Sequence, residues 1–214
     1  MRIAILGTGT LAAALGGGWA RGGHDLVVAG RSADKAAALA TRLGSRARAA
    51  APREAVTGAD AILLAVTHTG VADILAAAGA GSGAVTGTPL IDATNAVDHG
   101  TGVLRLPPGG SHAERVAALA PGAHVVKAFH LFPSEQWTAP ATTPVTVTLC
   151  GDDPTAVRIT ERLVRDLGAD AAVLGDLTRA RQLEEAAGFV ISLAFTGIDP
   201  RSAVPSMPAV VPAG

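Results

Sequence analysis

Chemistry in this sequence begins with glycines. An apolar run, Arg2–Leu6, leads into Gly7-Thr8-Gly9-Thr10-Leu11-Ala12, a G-x-G-x-x-A spacing. Such glycines let a backbone turn tightly and approach a pyrophosphate, which rests on the N-terminus of the following helix. A second apolar run, Leu26–Ala29, ends in Gly30-Arg31-Ser32. Enzymes that use NAD usually carry Asp or Glu there, to hold the ribose 2′-hydroxyl. A guanidinium and a hydroxyl suit a 2′-phosphate instead, and an acid would repel it, so the pattern predicts NADP. Lys35, one helical turn beyond Arg31, is a candidate second charge at that phosphate. Ser32 also fits as the N-cap of a helix starting near Ala33.

The remaining candidates are histidines. His68 and His130 each fall just past an apolar strand, on the side where ligands bind in such sheets, and are the candidate catalytic residues. The competing reading of both is a satisfied loop histidine. His24 reads as structural, His124 begins a strand, and His99 and His112 sit in a Gly/Pro-rich connection that could form a lid. None shows metal-ligand spacing with Cys, Asp or Glu, so no metal is expected. Asp60 and Asp92 flank strand ends and read as caps. Cys150 closes an apolar strand and reads as a buried thiol. Tyrosine is absent, which excludes a Tyr-Lys general-acid pair.

Strand and helix patterns alternate in order to position these residues. Strands are expected at Arg2–Leu6, Leu26–Ala29, Arg46–Ala50, Ala61–Val66, Leu90–Ala93 and His124–Ala128, with helices at Thr10–Arg21, Ala33–Leu43, Pro52–Thr57, Gly70–Ala78 and Ser111–Ala120. The wholly apolar Ala61–Val66 fits a parallel sheet covered on both faces. Together these predict an α/β fold, a doubly wound Rossmann-type parallel sheet, over residues 1–143. The Gly16-Gly17-Gly18 run costs its helix roughly 1 kcal/mol per glycine relative to alanine, a loss usually accepted for close packing on a sheet. Residues 144–214 read as a small C-terminal α/β extension: a strand at Val145–Cys150, a helix at Pro154–Leu167, a strand at Ala171–Leu174, one long helix from Leu177 to about Phe195, and an irregular Pro-rich tail from Asp199.

The chain has 214 residues and a net charge of -1, which predicts neither nucleic acid nor an anionic membrane as partner. No segment reads as a membrane helix. Cleavage of Leu11–Ala20 as part of a leader would destroy the first strand, so no signal peptide is expected. A single cysteine forms no internal disulfide, and the expected setting is cytoplasmic.

The sequence resembles the F420-dependent NADP oxidoreductases and related NADP-binding reductase domains. The anchors are Gly7-Thr-Gly-Thr-Leu11, Gly30-Arg31-Ser32, Leu63-Leu-Ala-Val-Thr67, Ile91-Asp-Ala-Thr-Asn95, Val125-Val-Lys-Ala-Phe-His130, Cys150-Gly-Asp-Asp-Pro154 and Leu177-x-x-Ala-Arg181-x-Leu-Glu184. The resemblance implies hydride transfer between nicotinamide C4 and C5 of a deazaflavin, coenzyme F420, the second substrate. It also implies that Gly7, Thr8, Gly9, Thr10 and Leu11 line the pyrophosphate turn, and that Arg31, Ser32 and Lys35 hold the 2′-phosphate. Val66, Thr67 and His68 would border the nicotinamide ribose, while Asn95 and His130 face the shared cleft. Thr67 departs from the proline frequent in that family, and Glu-Ala-Ala-Gly-Phe189 lacks a polar residue some members have. Alternatives are an NADPH-dependent reductase of a small C=N or C=O compound, with His130 or His68 donating the proton, and a non-catalytic NADP(H) sensor. The apolar face of the last helix points to a homodimer.

Overall fold

A computed structural model describes residues 1–98, 100–138 and 144–205. His99 and the end of the Pro-rich tail, on which two of the expectations fall, lie outside those residues. Among the described residues eight strands form one sheet: β1 (Arg2–Leu6), β2 (Asp25–Ala29), β3 (Ala47–Ala49), β4 (Ala61–Leu64), β5 (Pro89–Asp92), β6 (His124–Lys127), β7 (Thr146–Gly151) and β8 (Asp170–Val173). Their order is β3-β2-β1-β4-β5-β6-β7-β8. The first six are parallel, as expected of a doubly wound Rossmann-type sheet. The order reverses between β1 and β4, which opens a crevice at the carboxyl ends of those strands. β7 runs antiparallel to β6 and β8 parallel to β7, so the C-terminal region lengthens the same sheet.

Seven α-helices among the described residues cover the two faces: α1 (Thr10–Arg21), α2 (Ala33–Leu43), α3 (Pro52–Val56), α4 (Val71–Ala77), α5 (His112–Leu119), α6 (Pro154–Arg165) and α7 (Ala180–Phe195). One core layer joins α1, α2 and α6 to the sheet through Leu15, Trp19, Leu39 and Leu163. The other joins α3, α4, α5 and α7 through Val56, Ile74, Val116 and Leu183. β1 is buried beyond Arg2 and β4 and β5 along their whole length, which explains their unbroken apolar runs.

The α1 glycines do pack closely. A Cβ on Gly16 would stand 3.0 Å from the Ile5 side chain, and one on Gly18 would overlap Leu167. The Trp19 indole N–H donates to the Leu163 carbonyl at 2.9 Å and ties α1 to α6. Expected ends shift in two instructive places. β4 stops at Leu64: the Ala65 amide still donates to Leu6 of β1, and Val66 and Thr67 then leave the sheet to line the crevice. The last helix begins at Ala180, because Asp176 caps a separate 3-10 turn over Leu177–Arg179.

Candidate functional site

The turn between β1 and α1 is built for close approach. Gly7 has φ +147°, and a Cβ there would overlap the Ala65 carbonyl oxygen of the neighbouring β4 end. No other residue fits. Its amide donates to Ala29 at 2.8 Å, which fixes the turn against β2. A Cβ on Gly9 would project into open space. Gly9 is also the N-cap of α1; it offers no capping side chain, and the first turn holds no acid. The electropositive end of α1 therefore faces the crevice without competition from the protein, as an anion site needs.

A cleft of about 470 Å³ opens there, and its walls include Gly7, Thr8, Gly9, Arg31, Ser32 and Lys35. Val66 and Thr67 complete it from the end of β4. Eight of the expected cofactor residues thus surround one space. The Ser32 hydroxyl oxygen accepts the Lys35 amide at 3.3 Å and caps α2, which leaves its own O–H to donate elsewhere. Arg31 and Lys35 are exposed, and among the described residues neither makes an ion pair. Gly30 lies tight against Thr8, where an added Cβ would stand 3.0 Å from the methyl.

Other expected residues lie elsewhere. Thr10 lines a neighbouring recess of about 540 Å³ that runs along α1 to Arg21, Arg42 and Trp137. The Leu11 side chain packs against the core under α1, so only its backbone faces the turn. His68 starts a 3-10 turn after β4, half-buried and edge-on to His112 with ring centroids 6.3 Å apart. Asn95 is half-buried and its Nδ2 donates to the His130 carbonyl at 2.6 Å, while its Oδ1 has no partner.

His130 is 4% exposed and does not line the cleft. Neither ring nitrogen reaches hydrogen-bond geometry. Burial, with Lys127 adding, pushes its pKa down to about 3, although Asp92 and the Leu183 backbone pull the other way. The ring is neutral at pH 7. Burial also lowers His112. The Cys150 thiol is buried and pushed up to about 12, which makes it a poor nucleophile. Among the described residues no His, Cys, Asp and Glu side chains cluster as metal ligands would. No described helix is long and apolar enough to cross a membrane.

Sequence reasoning gave no place in a site to a buried charge cluster. Asp92, Lys127 and Glu184 are fully buried, with Lys127 Nζ 3.0 Å from Asp92 and 3.1 Å from Glu184. Burial raises the Asp92 carboxyl, but Lys127 and the Thr94 hydrogen bonds outweigh it and hold the group below the usual carboxylate range. Burial lowers Lys127, and the two carboxylates outweigh that too, so its ammonium is retained. A signal was available: β5 and β6 both end an apolar run with a charge, and Asp92 and Lys127 are register partners.

Geometry and sequence now meet the comparisons. Residues 2–96 match the family of NADP oxidoreductases that depend on coenzyme F420. That stretch holds the glycine turn, Arg31, Ser32, Lys35, Val66, Thr67 and Asn95. This agrees with the resemblance read from the sequence. The fold of a candidate F420-dependent NADP-reductase from Arthrobacter sp. FB24 superposes with a TM-score of 0.80 at 27% identity, covering 92% of this chain and 95% of that one. A hypothetical protein from Sinorhizobium meliloti gives 0.75 at 28% identity, over 84% of this chain and 88% of that one. A reductive aminase from Aspergillus terreus, in complex with a form of NADPH, gives 0.67 at 21% identity, over 92% of this chain and 62% of its own. That last likeness shows a shared fold alone. No curated protein sequence matches the chain.

Proposed function

We propose that this protein binds NADP(H) and exchanges a hydride between its nicotinamide and the deazaflavin of coenzyme F420. The observation that carries the cofactor is the cleft itself: an uncapped helix N-terminus beside Gly9, with Arg31, Lys35 and the Ser32 hydroxyl at the far wall. The match of residues 2–96 to the F420-dependent family supports the second substrate.

When bound, the nicotinamide of NADP(H) would give or accept the hydride. The α1 amides would hold the pyrophosphate, and Arg31, Lys35 and Ser32 the 2′-phosphate, the former by charge and the latter by donating its O–H. Val66 and Thr67 lead from there toward the ends of β5 and β6. Hydride transfer between two rings needs no proton delivered to carbon, so the task is to hold the rings face to face and exclude water. A neutral, buried His130 is consistent with such chemistry.

A second reading, NADPH-dependent reduction of a small C=N or C=O compound, rests on half-buried His68 beside His112 as proton donor. A solvent deuterium effect on turnover separates the two. Exposed apolar residues on and beyond α7, Phe189, Ile198 and Val204, support a homodimer; a monomer by light scattering at micromolar concentration removes it.

The deciding assay mixes reduced F420 with NADP, and separately with NAD. Recovery of the deazaflavin's visible absorbance, with NADP preferred, is expected. Tight NADPH binding without turnover overturns the F420 reading and leaves the other substrates or a sensor role.

A further inference from the structure

The cleft makes no use of the Ala180-Arg181-x-x-Glu184 stretch, yet α7 holds the connection between β5 and α5 at several points from Leu104 onward. Three positions on one side of α7 do this. Arg181 donates to the carbonyls of Pro107 at 3.4 Å and Gly110 at 3.0 Å. Glu184 accepts the amides of His112 at 2.8 Å and Ala113 at 3.0 Å, the first two of α5. Gly188 leaves room for Leu104, which an added Cβ would meet at 2.6 Å. Within the connection, Val97 bridges Leu104 and Asp98 pairs with Arg105.

Lys127 then links α7 to the two loops that follow β5 and β6. Its ammonium has three acceptors: Asp92, Glu184 and, at 2.5 Å, the Thr94 carbonyl. An ammonium has three protons, so each is used. The other Asp92 oxygen accepts the Thr94 amide at 2.9 Å and the Thr94 hydroxyl at 2.6 Å. Thr94 is therefore gripped from both sides, and Asn95 is the next residue. Asn95 in turn donates to the carbonyl of His130, three residues past Lys127. Between them Phe129 sits at φ +61°, an unfavourable region for a side-chain-bearing residue, buried between Trp19 and Trp137.

We infer that Lys127, clamped by Asp92 and Glu184, is the positioning residue for the carboxyl ends of β5 and β6, beyond the cleft wall at Val66 and Thr67, where the nicotinamide would lie; it fixes Asn95 and the His130 loop relative to each other. The inference rests on the NADP(H) reading above. Two carboxylates and an ammonium in a dry core add little net stability over apolar side chains of equal volume. Their contribution is a single arrangement of two loops that Asn95 also joins through its hydrogen bond to His130.

Lys127→Met alone leaves two buried carboxylates without a cation and is expected to fold poorly. The test therefore uses the neutral triple variant Asp92→Asn, Lys127→Met, Glu184→Gln, which keeps one acceptor oxygen for Thr94 and one for the two α5 amides. Two probes are compared by titration: 2′,5′-ADP, which reaches only the Arg31 end, and NADPH, followed by its own fluorescence. The triple variant is expected to melt cooperatively and to bind 2′,5′-ADP within about twofold of wild type. NADPH is expected to bind about tenfold more weakly, the scale of one lost charged hydrogen bond, and to lose the emission change of its bound nicotinamide. A folded triple variant that binds both probes like wild type overturns the inference. Equal weakening of both probes also overturns it, because that marks general loosening. A wild type that binds neither overturns the NADP(H) reading and the inference together.

Discussion

The two ends of the sheet's carboxyl edge are built on opposite principles. At the β1–β2 end the charges are open: Arg31 and Lys35 face solvent without ion pairs among the described residues, and the α1 N-terminus is uncapped. At the β5–β6 end the charges are sealed: Asp92, Lys127 and Glu184 are fully buried and satisfy one another. An open end with spare donors is suited to take up an anion. A sealed end spends its donors internally and can only hold a shape. The contrast teaches where affinity and where geometry reside in this molecule.

The sharpest way to break the open end is Gly7→Ala. The new Cβ overlaps the Ala65 carbonyl at a φ that L-residues rarely adopt, so a loss on the order of 3 kcal/mol or more is expected, seen as a large drop in melting temperature. Arg31→Ala is next. It removes a charged donor from an otherwise intact cleft, so NADPH affinity should fall by at least about tenfold while NADH affinity and thermal stability stay near wild type. Equal losses for NADPH and NADH would remove Arg31 from the 2′-phosphate.

The sealed end is sharpened by pH. Folded His130 is pushed down to about 3, whereas the unfolded residue protonates near 6.5. Between those values the unfolded chain binds the extra proton. Stability is therefore complete above about 6.5 and falls as pH drops toward 3, by at most about 1.4 kcal/mol per pH unit. His112 acts in the same direction. Asp92, held below its ordinary 3.8, adds a loss that begins only in more acid solution. His130→Gln should make the melting temperature fall less between pH 7 and pH 5 than in wild type, and an unchanged slope would contradict the burial argument.

This asymmetry also explains what could be read from the sequence. The open end is contiguous: Gly7 to Lys35 spans one strand-helix-strand-helix unit, and each residue's role follows from its offset within it. The parallel sheet was equally legible, because Ala61–Leu64 and Pro89–Asp92 are buried on both faces and show it in their composition. The sealed end comes from residues 92, 127 and 184, which only the strand order and the packing of α7 bring together. Asp92 read as a cap, and it does cap Thr94; its second oxygen, on Lys127, carries the rest. His130 read as a cleft residue from its place after a strand, but Phe129 turns the backbone and the ring ends buried.

The aromatic residues give the molecule an optical property of its own. The chain has no tyrosine and two tryptophans. Both indoles lie edge-on to the same Phe129 ring, at centroid distances of 5.9 Å and 5.6 Å. Trp137 also borders the recess that shares Thr8 and Gly9 with the cleft. Ultraviolet emission from this protein thus originates at one spot next to the dinucleotide turn. Reduced nicotinamide absorbs where indole emits, so energy passing from indole to coenzyme gives a label-free gauge of occupancy.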